Sequence, residues 1–274
     1  MTQHDGRAIS ATGIGTNIAE AELRHDGERA ERMAHALRGE RGALPWAQAT
    51  APIFGMAAGR DGVAQVQSRA ILELIERWTC QSWWAGTLPA SQPGPPTEAA
   101  FARAQENWKR RTPRRTGLLQ LGNPLLPPTC VAWSCDRSGH SLCFGTACGM
   151  DGPKAMTAAL RELFQMEFGL SVIQHRKAGG VELTGSELHI LDRADLLSVE
   201  TMTDHFQEAG DTNNRFQGDL FKALADAGIP VAVNQLEHAI DGHRIVIATS
   251  ADLEVVSSGE NWCDTALRWK LYGA

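Results

Sequence analysis

The 274-residue sequence has no apolar run near the roughly 18 residues needed to span a bilayer, and its start, Met1 to Arg7, lacks the basic-then-apolar pattern of a secretory signal. Both absences predict a cytoplasmic protein. Positive charge is also short: 26 Lys and Arg stand against 32 Asp and Glu, a net charge of -6. A nucleic-acid backbone therefore finds no electrostatic footprint. Cysteine is sparse, and six residues are too few for a disulfide-built scaffold. Four of them cluster at Cys130, Cys135, Cys143 and Cys148. Structural zinc sites usually bring their ligands in close pairs on tight turns, whereas these pairs sit inside β-like runs. The favoured reading is a hairpin of Thr129–Cys135 and Ser141–Gly145, turning at Asp136–Gly139, with cysteine as a small buried hydrophobe.

What is present is enough for a core, since 43% of residues are hydrophobic. Apolar residues at helical spacing predict an amphipathic helix from Ile18 to about Arg41, with Asn17 as its N-cap. The glycines just before it have no P-loop lysine and no preceding strand, so they do not form a phosphate loop. The run from Ser91 to Thr97 reads as a loop leading to another helix and to the basic patch Lys109–Arg115, taken as a solvated face. A helix from Pro153 to about Arg176 is followed by a polar stretch to Asn214, read as loop or lid. Then come a helix over Phe216–Ala227, a buried strand over Gly228–Asn234, a turn at Asp241-Gly242 and a strand over His243–Thr249. Helices and strands mix without regular alternation, which predicts an α+β fold of mixed sheets packed with helices. One domain over residues 1–274 is expected, with an N-terminal helical segment (1–43), a core (44–180) and a helix-strand portion (181–274).

The chemistry lies in a repeat. Gly59-Arg60-Asp61-Gly62 opens a helix that reaches Glu73-Leu74, and Gly149-Met150-Asp151-Gly152 opens another that reaches Glu162-Leu163, one residue sooner. In the first copy Glu73 and Glu76 share a helix face, and Arg77 lies one turn beyond Glu73. Two carboxylates among Ile71, Leu72, Leu74 and Ile75 are costly to bury without a cation. Mg²⁺ takes carboxylates together with phosphate oxygens, and arginine takes a phosphate by two hydrogen bonds. The second copy keeps Glu162, has Gln165 where the second acid stood, and adds Glu167. A lone Glu-x-x-Glu-Arg reads as a surface salt-bridge ladder; its recurrence favours a nucleotide-metal site.

The stretch Glu73-Leu74-Ile75-Glu76-Arg77-Trp78, with Trp83-Trp84 after it, resembles the acidic ATP-binding helix of YcaO-domain proteins. Gly145 to Glu167 is similar to their second such helix, and Leu224 to Ile247 to the segment that follows. The resemblance implies a YcaO-like fold and an enzyme that uses ATP and Mg²⁺ to activate backbone amides of a ribosomally made precursor peptide. The commonest product is an azoline ring, closed by Cys, Ser or Thr. It implies Glu73, Glu76, Glu162 and Glu167 as metal or phosphate-site acids, Gln165 as their companion, Arg77 as a phosphate ligand and Ser68 as lining the nucleotide. Arg60 stands where the family carries the lysine of Gly-Lys-Gly. A third, late motif has no counterpart, the C-terminus lacks the family's proline-rich ending, and the segment before Leu44 is too short for a precursor-binding domain. A separate leader-binding adaptor, a dehydrogenase and a hetero-complex or oligomer are therefore the expected partners. The alternative is a scaffold subunit that keeps the fold without nucleotide; a weaker third reading is an unrelated metal-dependent enzyme using the same acids.

Overall fold

The computed structural model describes residues 2–4, 7–9, 13–15, 17–40, 53–84, 88–91, 114–122, 125–196, 218–236 and 239–250, with Glu106, Ser198, Phe216 and Leu253. In chain order these form β1 (Thr2–His4), β2 (Arg7–Ile9), α1 (Ile18–Glu40), β3 (Phe54–Gly59), α2 (Val63–Trp84) and β4 (Ala90–Ser91). There follow β5 (Arg115–Leu121), β6 (Thr129–Cys135), β7 (Cys143–Cys148), α3 (Gly152–Ala178) and α4 (Gly185–Leu196). The last elements are α5 (Leu220–Asp226), β8 (Ala232–Gln235) and β9 (Arg244–Thr249). The chain divides into two units, Met1–Trp78 with Gly218–Val255 and Thr79–Gln217 with Val256–Ala274.

In the first unit Asn17 accepts the Glu20 N–H at 2.9 Å and so starts α1 where the sequence places it. The sheet runs β3-β9-β8. Period-two alternation sends Phe54, Met56 and Ala58 to a core with Ala30 and Ala34 of α1 and Ile245 and Ile247 of β9. Gly55 faces the other way, onto α2, where an added Cβ would lie 2.0 Å from the Ala70 carbonyl oxygen. The β8–β9 connection turns through Asp241 and Gly242, with φ of 50° and 76°, as a two-residue hairpin needs.

In the second unit the order is β4-β5-β6-β7, a sheet with a core on each face. Cys130, Ala132, Cys143 and Ala147 pack with Ala155, Ala159 and Leu163 of α3. Val131, Cys135, Leu142 and Phe144 pack on the other side with Trp83, at the end of α2. Asp151 caps α3 by accepting the Lys154 N–H at 2.8 Å.

Several expectations are corrected. Every strand pairing among the described residues is antiparallel, not mixed, because short turns join β5 to β6 to β7 and β8 to β9. The polar stretch read as loop or lid contains α4. Its start is a capping box: the Thr184 N–H reaches Glu187 Oε2 at 2.8 Å and the Glu187 N–H reaches Thr184 Oγ1 at 3.3 Å. The strand expected to be buried, β8, is an exposed edge. The helix expected over 216–227 is shorter, starting at the cap Asp219. The 91–97 loop beyond Ser91, the helix after it apart from Glu106, and Lys109–Pro113 lie outside the described residues. Among the described residues no helix is long and apolar enough to cross a membrane.

Candidate functional site

Burial fixes how α2 presents its charges. Val66, Ala70, Ile71, Leu74 and Ile75 are all within 1% of full burial, so the helix turns this stripe inward and holds Glu73, Glu76 and Arg77 half-buried at its margin. Arg77 Nε donates to Glu73 Oε1 at 2.8 Å, and the guanidinium stacks 4.6 Å above the Phe54 ring. A surface ladder would leave such an arginine free to wander; here an acid and an aromatic face hold it.

A residue that the sequence reading missed joins this group. Glu31 of α1 accepts the Ala58 N–H at 2.8 Å on the outer edge of β3. As a whole the residue is half-buried. Burial pushes its carboxyl up to about 7, and the negative charges of Glu73 and Glu28 add to the rise, against the lowering effects of the Ala58 N–H and Arg77. The signal in the sequence is slight: an acid beside the small apolar residues Ala30 and Ala34 of an otherwise amphipathic helix.

The other residues expected around the first helix are more dispersed. Ser68 donates its hydroxyl to the Ala64 carbonyl at 2.9 Å, a bond within its own helix. Arg60 is exposed and lies 4.0 Å from Asp26. Asp61 pairs with Arg69 at 2.8 Å, and its carbonyl accepts from Arg244.

In the second unit Gly145 of β7 meets α3 as closely as Gly55 meets α2. An added Cβ would lie 2.0 Å from the Ala159 carbonyl oxygen and 2.2 Å from the Leu163 nitrogen. Glu162 accepts the Thr146 N–H on the outer edge of β7. Gln165 is half-buried one turn on. Glu167 differs from the other acids: its side chain is 2% exposed and pairs with Arg114 Nε at 3.3 Å. Arg114 also donates to the Ser134 hydroxyl and carbonyl and to the Ser141 carbonyl. Arg114 was read within the solvated basic patch; instead it turns inward, because a buried carboxylate and two carbonyls give its guanidinium more partners than water-facing neighbours would.

The clustered cysteines alternate between sheet faces. Cys130 and Cys143 lie on the α3 side, Cys135 on the Trp83 side, and Cys148 donates toward the Pro127 carbonyl at 3.6 Å. Four thiols divided in this way do not converge on one ion. Burial raises the Cys135 thiol above its ordinary value, as expected of an inert core cysteine.

The donor set on α2 fits a phosphate-bound magnesium. Carboxylates supply the oxygen ligands Mg²⁺ prefers, and among the described residues Arg77 uses only its Nε in a hydrogen bond, which leaves its Nη groups suited to a phosphate. Burial is the main cause of the rise at Glu31, and the smaller contribution from the negative charge of Glu73 is one that a cation would relieve.

An α+β protein with antiparallel sheets and an acid-and-arginine helix is the class so defined. The family model described as YcaO cyclodehydratase, ATP- and Mg²⁺-binding, matches residues 34–254. The chain belongs to the YcaO family, and its cofactors are ATP and Mg²⁺. No curated relative matches the sequence. Among solved structures, a heterocyclase in complex with substrate and cofactor matches with a TM-score of 0.58 at 18% identity, over 73% of this chain and 28% of its own. The heterocyclase TruD matches at 0.56 and 18%, over 80% and 32% of the two chains. The E. coli microcin synthetase McbBCD complex with pro-MccB17 bound matches at 0.56 and 12%, over 72% and 54%. These likenesses establish the fold, and this chain spans between 28% and 54% of the length of the chains it matches.

Proposed function

We propose that the chain uses Mg-ATP to modify backbone amides of a ribosomally made precursor peptide, by azoline-forming cyclodehydration of Cys, Ser or Thr, together with a separate precursor-binding partner. The observation that carries this reading is the face of α2, where Glu73 and Arg77 are locked 2.8 Å apart over Phe54 and beside the deep carboxyl of Glu31. Glu73 and Glu76 are the metal acids of this helix, and Arg77 is its phosphate ligand. Glu162 is the corresponding acid of α3, with Gln165 in the place of Glu76. Arg60 and Ser68 border the nucleotide. Glu167, held by Arg114, acts through the position of α3 rather than by touching metal. The reading of the two helices as copies of one unit is supported by a shared close approach: a strand glycine, Gly55 or Gly145, admits a helix backbone at the alanine three residues before the acid.

When bound, ATP supplies the phosphoryl group that turns the amide oxygen into a leaving group. The protein's share is positional. Glu73 orients the guanidinium of Arg77, Arg77 neutralises phosphate charge, and the apolar stripe beneath them keeps this face from shifting. The nucleophile belongs to the substrate peptide.

The test mixes this protein with Mg-ATP and a candidate precursor, any short Cys- or Ser-rich peptide that genome sequence places beside its gene. ADP release together with loss of one water per ring from the peptide is expected, and Glu76→Gln should abolish both. Turnover that survives Glu76→Gln removes the site assignment. The scaffold reading is favoured by Gln165 standing in place of an acid and by Arg60 turned toward Asp26; calorimetric titration showing tight Mg-ATP binding would exclude it.

A further inference from the structure

The sheet of the first unit has two outer edges, and they are treated differently. On β3 the Ala58 N–H is taken by the Glu31 carboxylate. On β8 nothing among the described residues pairs with the outer edge. The phase of that edge follows from one bond: the Leu236 N–H reaches the Ile245 carbonyl at 2.9 Å. In an antiparallel ladder bonded residues alternate, so Ala232 and Asn234 also point their backbone groups at β9. Those of Val233 and Gln235 point outward. The strand Ala232-Val233-Asn234-Gln235 is largely exposed and carries neither charge nor proline, the usual defences of an open edge.

Directly before this strand lies an apolar groove of about 430 Å³, lined by Phe221 and Leu224 of α5 and by Ile229, Pro230 and Val231. Phe221 is 50% exposed, although Leu220, Ala223 and Leu224 of the same helix are buried. Among the described residues, an unpaired strand edge and an apolar groove thus adjoin within one unit. That combination is what strand addition uses: main-chain bonds hold the added segment, and a pocket receives its alternate side chains.

We infer that the outer edge of β8 and the Phe221–Val231 groove form a docking site for an extended peptide segment bearing apolar side chains at alternate positions. Size decides the occupant. A strand of four residues and a groove of this extent fall far below the roughly 20–30 residues a side of a stable dimer interface. A single extended segment needs no more than one strand's length. The inference goes beyond nucleotide chemistry and holds for a scaffold as well as for an enzyme.

The probe is a fluorescein-labelled, lysine-capped peptide of about ten alternating valines and threonines, titrated by fluorescence anisotropy into the full chain. Saturable binding is expected, with slowed hydrogen exchange at the Val233 and Gln235 amides. Val233→Pro removes an outward N–H without touching the β8–β9 ladder, and Phe221→Asp places a charge in the groove. Each should weaken binding about tenfold or more, which is about 1.4 kcal/mol. The same peptide N-methylated at alternate residues should not bind. If Val233→Pro fails to fold, Phe221→Asp and the methylated peptide still decide. Absence of saturable binding, equal binding by both variants, or equal binding of the methylated peptide overturns the proposal. So does sedimentation showing a dimer that Val233→Pro dissociates, which would make a second copy the occupant.

Discussion

Glu31 is easier to protonate in the folded chain than in the unfolded one, and the sign of its effect follows. An acid raised from 4.5 to about 7 favours the folded state fully below about 4.5, and that contribution is lost as pH rises through about 7. The shift corresponds to something on the order of 3 kcal/mol. Glu31→Gln keeps an oxygen for the Ala58 N–H but cannot ionise. Urea denaturation at pH 5 and pH 8 should therefore show wild type losing stability relative to Glu31→Gln as pH rises. Parallel behaviour of the two proteins would mean that the carboxyl is not desolvated. Arg114 and Glu167 obey a different rule. Removing one partner strands the other, so Arg114→Ala should cost about 3–5 kcal/mol in chemical denaturation. Arg114→Met with Glu167→Leu should recover roughly half of that, the remainder being the Ser134 and Ser141 carbonyls left without a donor. These residues also mark what the sequence could reveal. The pairing of Glu73 with Arg77 is a matter of helical spacing and was legible. Glu31 meets its partner 27 residues away and Arg114 meets Glu167 53 residues away, so only the fold brings them together.

At the scale of elements, local chemistry was the reliable guide. Asn17, the Asp136–Gly139 turn and the Asp241-Gly242 turn each act within a few residues and lie where expected. The strand after the first turn runs two to three residues later than read, and the strand before the second starts four residues later. Helix α4 was read as loop or lid although its signal, Thr184-x-x-Glu187, is equally local, because the stretch around it is polar and lacks a clear apolar period. Whether β8 was buried or exposed was not legible, because Val231 and Val233 look the same on an edge as inside a sheet until the strand order is known. The Gly-x-Asp-Gly and Glu-Leu pattern was visible in both stretches, but the closest strand-to-helix approaches, at Gly55 and Gly145, lie upstream of it. They yield a contrast among glycines. Gly145→Ala drives a methyl into the backbone of α3 and should cost roughly 1–3 kcal/mol or more. Gly27→Ala, with nothing within 4 Å of the added carbon inside α1, should stabilise by about 1 kcal/mol. Urea midpoints of the two variants give the comparison, and a Gly145→Ala protein as stable as wild type would remove close approach as the reason for that glycine.

For the molecule as a whole, ligand binding and stability are linked. A ligand at one hundred times its Kd adds about 2.7 kcal/mol to a chain that binds it only when folded. In a protein of this size such a gain raises Tm by roughly 5–10 °C. Mg-ATP should produce that shift, ATP with excess chelator should not, and Glu76→Gln should abolish it. Glu162→Gln is the more discriminating variant, because Glu162 already accepts the Thr146 N–H and so has a structural role that glutamine can take over. If Glu162 is a metal acid, the variant keeps its ligand-free Tm yet loses the Mg-ATP shift. If the carboxylate serves only to close the edge of β7, both values stay near wild type, and the nucleotide chemistry rests on the acids of α2.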